Sequence, residues 1–236
     1  MMETPFYMSN KLAQDPDDEP LKTFARGLSG LARLRGPGRL LDVGCSYGAF
    51  LMAAQRAGWE AHGVELSETT ARYAIEARKL SVFQGTVAAA SFPDGHFDAV
   101  TLWDVLEHLD DPISTLCEIA RILKPGGVLL AFTINQASLV SRIGNAIHRV
   151  TRLEKPLVLL YDVHHNFFFD PKTLRGLLGR VGAYDVVEIE YSEANVRRWR
   201  TVPIHPLMTL GSDVVDRLAL RPELRYRMLV YARRRA

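Results

Sequence analysis

The stretch WDVLEH, residues 103–108, sets Asp104, Glu107 and His108 at spacings i, i+3 and i+4. On a helix those positions share one face. Two acids and an imidazole on one face could move a proton, because histidine titrates near neutrality. The same spacing permits a divalent cation, but a polar helix face is first of all a solvated one, and no metal is expected. A second source of imidazole is DVHHNFFF, residues 162–169, with His164 and His165. If this segment folds back over a ligand, either histidine can act as a general base. The plain alternative for all three histidines is a ring bonded to a backbone carbonyl. Phe167, Phe168 and Phe169 could line a pocket, although an aromatic run before a capped helix more often fills a core.

A different chemistry is suggested by LLDVGCSYGAF, residues 40–50. An apolar run ends in Asp42, and Gly44, Cys45, Ser46, Tyr47 and Gly48 follow before an apolar stretch of helical character. Glu65 stands about 20 residues further on, where an acid commonly bonds ribose hydroxyls. A dinucleotide would place its pyrophosphate at the helix N-terminus, where anions are favoured. Asp42 beside the turn, with no arginine or lysine near it, suits an anion poorly. S-adenosylmethionine has no phosphate and carries an ammonium and a sulfonium, which an acid near the turn would suit. Cys45 lies inside the turn, so packing is expected of it rather than catalysis.

These residues need a frame. RLLDVG reads as a buried strand stopped by glycine, and Ala49–Ala57 as the helix after it, stopped at Gly58. EAHGVEL is the next strand, and Ser67 caps the helix that follows. SVFQG is a weak strand, FPDG a turn, and HFDAVTLW a strand. Asp111 and Pro112 open a helix that KPGG should end. VLLAFTI is a buried strand. Asp170 and Pro171 open another helix, which Gly182 closes. YDVVEIEY and RYRMLVYARR are two late strands. Strand and helix thus alternate, with buried strands, which is the pattern of a parallel sheet covered on both faces. In such sheets ligands sit beyond the carboxyl ends of the strands, where strand order reverses, and the turn after the first strand is that place.

Composition is that of an ordinary globular chain. Of 236 residues, 47% are apolar and 24% charged, and the net charge of +2 gives no global basic footprint for nucleic acid. Cys45 and Cys117 are the only cysteines, which fits a reducing compartment and points to the cytoplasm. No secretory signal is seen at the N-terminus, and the longest apolar runs are too short to span a bilayer. Basic residues gather in the last third, in VRRWR, RPELRYR and ARRR. A solvated face accounts for them, and the functional alternative is a site for an anionic substrate or a membrane surface.

Taken in order, LLDVGCSYGAFL, GVELS, FDAVTLWDVLEHLDDP and ILKPGGVLL resemble the class I S-adenosylmethionine-dependent methyltransferases. The nearest type is the small-molecule branch of quinone and glycan O-methyltransferase-like proteins. The likeness covers roughly residues 38–134, and HHNFFFDPKTLRGLLGRVGAYDV resembles the family's later helix and strand. It implies an α/β, Rossmann-like fold with a doubly wound, mostly parallel sheet of seven strands, the last antiparallel, and cap insertions. One domain, 1–236, is expected: an N-terminal segment with a helix (1–38), a cofactor core (39–134), an acceptor-site cap (135–170), and a C-terminal part (171–236) with an insertion at about 192–222.

The resemblance also implies S-adenosyl-L-methionine as cofactor. Gly44, Cys45 and Gly48 would line its methionine part. Asp42 would meet the ammonium and Glu65 the ribose, with Leu66 flanking adenine and Trp103 and Asp104 closing the sulfonium side. Two positions depart from the family pattern. Ser46 replaces a common glycine, and Thr86 and Val87 stand where an acid often holds the adenine amino group. The expected activity is methyl transfer to a small molecule, most likely at oxygen, with His108, His164 or His165 as base. The acceptor classes are sugars, nucleotide-sugars, phenols and quinones. The alternatives are a non-catalytic cofactor-binding regulator and an NAD(P)-dependent oxidoreductase.

Overall fold

The computed structural model describes residues 21–152, 165–192, 214–215 and 219–236. Within them the order is α1 (Leu21–Leu34), β1 (Arg39–Val43), α2 (Ala49–Arg56), β2 (Glu60–Glu65), α3 (Glu68–Glu76), β3 (Ser81–Gln84) and β4 (Phe97–Trp103). A 3-10 turn (Leu106–His108) leads to α4 (Pro112–Ile122) and β5 (Leu123–Ile134). Then come α5 (Leu139–Thr151), α6 (Pro171–Val181), β6 (Tyr184–Ser192) and β7 (Arg227–Arg234).

The strands form one seven-stranded sheet in the order β3-β2-β1-β4-β5-β7-β6. β7 runs antiparallel to both β5 and β6, and the other pairs are parallel. The expected sheet and its antiparallel last strand are both found. Order reverses at β1, which pairs with β2 on one side and β4 on the other.

Neighbouring residues of the central strands feed opposite layers, as the strand period of two requires. Leu40, Ala99 and Leu130 pack with Phe24, Leu28 and Leu31 of α1 and Phe50, Leu51 and Ala54 of α2. Leu41, Val100 and Leu129 pack with Leu116, Ile119 and Ile122 of α4 and Leu174 and Leu178 of α6. This two-sided burial explains why the strands read as continuous apolar runs.

The helix starts follow their caps. Ser67 accepts from the Thr70 amide at 3.5 Å, and Asp111 accepts from the Ser114 amide at 3.0 Å. Asp170 and Thr173 form a reciprocal capping box, and Gly182 closes α6 at φ 77°. KPGG behaves differently from its expected role. α4 runs directly into β5, and KPGG lies inside the strand as an irregularity. Phe97 pairs with Leu123 but Ala99 with Val128, so two steps along β4 match five along β5. Gly126 takes φ 73° at that bulge.

Candidate active site

Asp42 is the penultimate residue of β1 and faces Thr101 of β4 in register. Its carboxylate is 2% exposed and accepts the Thr101 hydroxyl at 2.6 Å. Burial pushes the acid up to about 8; the Thr101 hydrogen bond opposes the rise and the Glu65 charge adds to it. A carboxyl group in that state is a receptor for a positive charge.

The turn after β1 bends through Gly44 and Gly48, both left-handed at φ 74° and 81°. A side chain on Gly48 would collide with Leu80, and one on Gly44 would collide with Val105. Ser46 also sits left-handed, at φ 50°, which is why glycine is the common residue there. Cys45 is buried, with its sulfur against the bare Cα of Gly63, and acts as packing.

Glu65 ends β2 and is 7% exposed. It accepts from the Ser46 amide at 2.7 Å and the Ser67 amide at 2.9 Å. One carboxylate thus ties the turn after β1 to the start of α3. Each oxygen keeps a further lone pair that a ribose hydroxyl can use. The other turn amides are also engaged: Gly44 and Cys45 donate to the Val64 carbonyl, and Gly48 to the Cys45 carbonyl. Four of the five amides from Gly44 to Gly48 are therefore unavailable to a pyrophosphate, and two acids flank the turn. Such a donor set fits S-adenosylmethionine and disfavours a dinucleotide. Leu66, beside Glu65, leaves 67% of its surface exposed, an open apolar face for an aromatic base. Thr86 turns its hydroxyl to the Ala89 amide at 3.2 Å, and Val87 is buried in the core. Neither of these two side chains stands open to adenine.

Beyond β4 the sequence expectation and the structure part company. Trp103 inserts between Phe24, Phe50 and Phe132, with ring centroids 4.9–5.4 Å apart. Its indole N–H is buried without a hydrogen-bond partner among the described residues. Asp104 adopts φ 53° and forms an ion pair with Arg227. That left-handed residue breaks the helix that would have aligned Asp104 with Glu107 and His108. Arg227 lies over the Phe132 ring, 4.3 Å from its centroid.

Glu107, His108 and His165 do converge: one ligand atom from each lies within 4.8 Å of the others. The His108 and His165 rings meet at 4.6 Å and 70°. The segment from His165 is pinned there by backbone. The Asn166 and Phe167 amides donate to the Glu107 carbonyl at 2.8 and 3.1 Å, and the Asn166 side chain donates to the His108 carbonyl at 3.1 Å. Glu107 is 2% exposed and neither of its oxygens makes a hydrogen bond of ordinary geometry. Burial pushes this acid up to about 7, the Asp104 charge adds to the rise, and Arg227 and the Thr133 hydroxyl oppose it. Three such groups could pass a proton or hold a divalent cation. Phe169 and Phe167 join the core, whereas Phe168 stays 39% exposed near the His165 ring. His164 lies outside the described residues.

Sequence reasoning missed Arg227, Thr133 and Asn166. Arg227 carried one usable signal. In an antiparallel last strand the first residues, not the last, reach the carboxyl ends of the parallel strands, and Arg227 pairs with Ile134 at the end of β5.

Residues 17–188 match the family model described as a methyltransferase domain. The chain belongs to this family. The match spans most of the chain, and the family and fold together imply S-adenosyl-L-methionine as the cofactor. Among curated relatives, the ubiquinone biosynthesis O-methyltransferase of Nitrosospira multiformis is 30% identical over 194 residues, covering 77% of this chain and 74% of the relative. Its counterpart in Vibrio cholerae serotype O1 is 31% identical over 144 residues, covering 58% and 57%. The counterpart in Methylococcus capsulatus is 35% identical over 105 residues, covering 42% and 44%. The chain thus spans about half the length of the Vibrio and Methylococcus proteins. A solved SAM-dependent methyltransferase of Archaeoglobus fulgidus superposes with TM-score 0.63 at 21% identity, covering 98% of this chain and 100% of that one. The PH0226 protein of Pyrococcus horikoshii does so with TM-score 0.65 at 18% identity, covering 99% and 100%. At these identities the two structures bear on the fold of the methyltransferase alone.

Proposed function

We propose that this methyltransferase moves a methyl group from S-adenosyl-L-methionine to a hydroxyl oxygen of a small acceptor. The observation that carries the reading is the convergence of Glu107, His108 and His165 on a segment that packs against the cofactor turn. Val105, between Asp104 and the 3-10 turn, fills the notch left by Gly44. In this reading Asp42 receives the ammonium, Glu65 the ribose diol and Leu66 the adenine face. Gly44, Cys45, Ser46 and Gly48 shape the methionine channel, and Trp103 and Asp104 wall its far side.

The bound cofactor supplies a methyl carbon made electrophilic by a sulfonium. Holding the acceptor oxygen in line with it contributes about 7–11 kcal/mol of the barrier. His108 or His165 takes the acceptor proton, and the buried Glu107 beside them favours the imidazolium that results. Residues 135–170 and the insertion at about 192–222 supply the acceptor site and its lid. The names of the curated relatives favour a phenol or quinol among the expected acceptor classes. Arg197, Arg198 and Arg200, which would draw an anionic acceptor, lie outside the described residues. Both cysteines are free thiols, and among the described residues no helix is long and apolar enough to cross a membrane. We place the enzyme in the cytoplasm.

The test is calorimetric titration with S-adenosylhomocysteine, followed by turnover with S-adenosylmethionine on a panel of catechols, quinols and sugars. Binding together with a methylated product that disappears in His108→Ala supports the reading. Binding without turnover on any acceptor would leave a non-catalytic cofactor-binding protein. A preference for nicotinamide dinucleotides over S-adenosylhomocysteine would make it an oxidoreductase.

A second reading of the same cluster is favoured by its 4.8 Å spread: Glu107, His108 and His165 hold a divalent cation that binds the acceptor oxygen. Loss of turnover on chelation, with recovery on adding Mg²⁺ or Zn²⁺, separates it from the metal-free base.

A further inference from the structure

Helix α5 differs from the other helices in what it leaves uncovered. Its inner side, at Val140, Ser141 and Gly144, is buried. Ile143, Ile147 and Val150 recur at i, i+4 and i+7, so they form one stripe along the helix. They are 38%, 40% and 83% exposed. Single apolar residues at a surface are ordinary, but a stripe of three on one helix marks a surface that something covers.

The charges on α5 say what. Arg142 and Arg149, one heptad apart, run as an exposed row beside the stripe, and Arg152 caps the helix end. No aspartate or glutamate occurs from 139 to 152. An apolar stripe edged by arginines, with no acid on the helix, is complementary to an anionic lipid surface. The stripe enters the boundary between headgroups and acyl chains, and the arginines lie along the phosphates with their stems against the apolar edge. An acidic protein groove would answer the charge, but it would have to match the stripe in shape as well. A fluid bilayer needs no such match.

The place of α5 in the fold gives the contact a use. α5 follows β5 after four residues, at the carboxyl end of the sheet, where Glu107, His108 and His165 also lie. Its start is fixed: Ser138 accepts from the Ser141 amide at 3.2 Å, and Asn135 donates to the carbonyls of Glu223 and Arg225 at 2.9 Å. A surface docked on α5 therefore adjoins the site through rigid backbone.

We propose that the exposed stripe of α5, edged by Arg142 and Arg149, seats the protein on an anionic membrane as an interfacial helix. The inference does not depend on which acceptor is methylated.

The experiment is flotation of the full chain with phosphatidylcholine vesicles, with and without phosphatidylglycerol, at low and high salt. The expected result is binding to the phosphatidylglycerol vesicles that weakens in salt, because screening shortens the reach of the arginines. Binding falls at least tenfold in the double variant Ile147→Asp with Val150→Asp, and Arg149→Glu weakens it on anionic vesicles. S-adenosylhomocysteine titration and thermal melts of the same variants confirm that the fold and the cofactor site are intact, so failure of membrane docking is separable from failure of the methyltransferase reading. Absence of vesicle binding by the unaltered chain overturns the proposal. So does a dimer in gel filtration that the double variant converts to monomer, which would make a second copy the occupant. Equal flotation of the double variant overturns it too.

Discussion

Two buried glutamates stand at the two halves of this site and are treated in opposite ways. Glu65, on the cofactor side, has an amide on each oxygen, and through them it fixes the glycine turn to the start of α3. Glu107, on the acceptor side, is as deeply buried but has no hydrogen bond of ordinary geometry on either oxygen. A satisfied polar network is rigid, whereas a buried unsatisfied carboxylate costs free energy until a proton, a cation or a ligand reaches it. The difference teaches that the protein holds its cofactor half ready-made and leaves its acceptor half to be completed by what binds there.

The largest effect expected from breaking this contrast is on turnover. His108→Ala should lower kcat by about 10²- to 10⁴-fold, the usual worth of a general base, and leave the calorimetric affinity for S-adenosylhomocysteine unchanged. A parallel loss of affinity would mean that the two halves are not separate. Glu65→Ala should do the reverse and weaken S-adenosylhomocysteine tenfold or more, about 1.4 kcal/mol. It should also lower the melting temperature, since two amides lose their acceptor at about 1–3 kcal/mol each.

Asp42 gives a pH test of the cofactor half. Its acid titrates near 8 in the folded chain, against about 3.9 for an ordinary aspartate. The folded state therefore holds a proton that the unfolded state releases. The stability this proton lends is complete below about pH 4 and is lost as pH rises towards 8. Asp42→Asn should abolish that decline, so the variant melts above the unaltered chain at pH 8 and the gap closes at low pH. Melting curves across this range decide it, and a constant gap would show that Asp42 is ionised throughout. The smallest effect belongs to Ser46→Gly. Relief of the left-handed strain is offset by the freer unfolded chain, and the net change should stay within about 1 kcal/mol in a denaturant titration.

The fold was legible because each element carries its own punctuation. Asp111–Pro112 and Asp170–Pro171 open helices, Gly182 closes one, and the apolar runs end in Asp42 and Glu65 at the ends of β1 and β2. The cofactor half was legible for the same reason, since Asp42, Gly44, Gly48 and Glu65 lie in two consecutive turns. The acceptor half was not. Asp104 leaves the helical face because Arg227, 123 residues away, takes its carboxylate, and nothing local announces that partner. Trp103 turns into the aromatic cluster because α1 offers Phe24 beside a glycine, Gly27, where any side chain would strike the indole. His165 meets His108 only through main-chain hydrogen bonds, which side-chain types do not encode. KPGG misled because its glycines serve a strand bulge as readily as a helix end.

The antiparallel β7 also sets an order of assembly. β5 and β6 each pair with β7 and not with one another, so the flank of β5 stays open until residues 227–234 arrive. During synthesis, β1 to β5 with α1 to α4 can collapse early, but the nascent chain then carries a long apolar strand edge through the translation of more than ninety residues. The window of greatest aggregation risk falls between the emergence of β5 and that of β7, and the rate of translation there governs the yield of native enzyme.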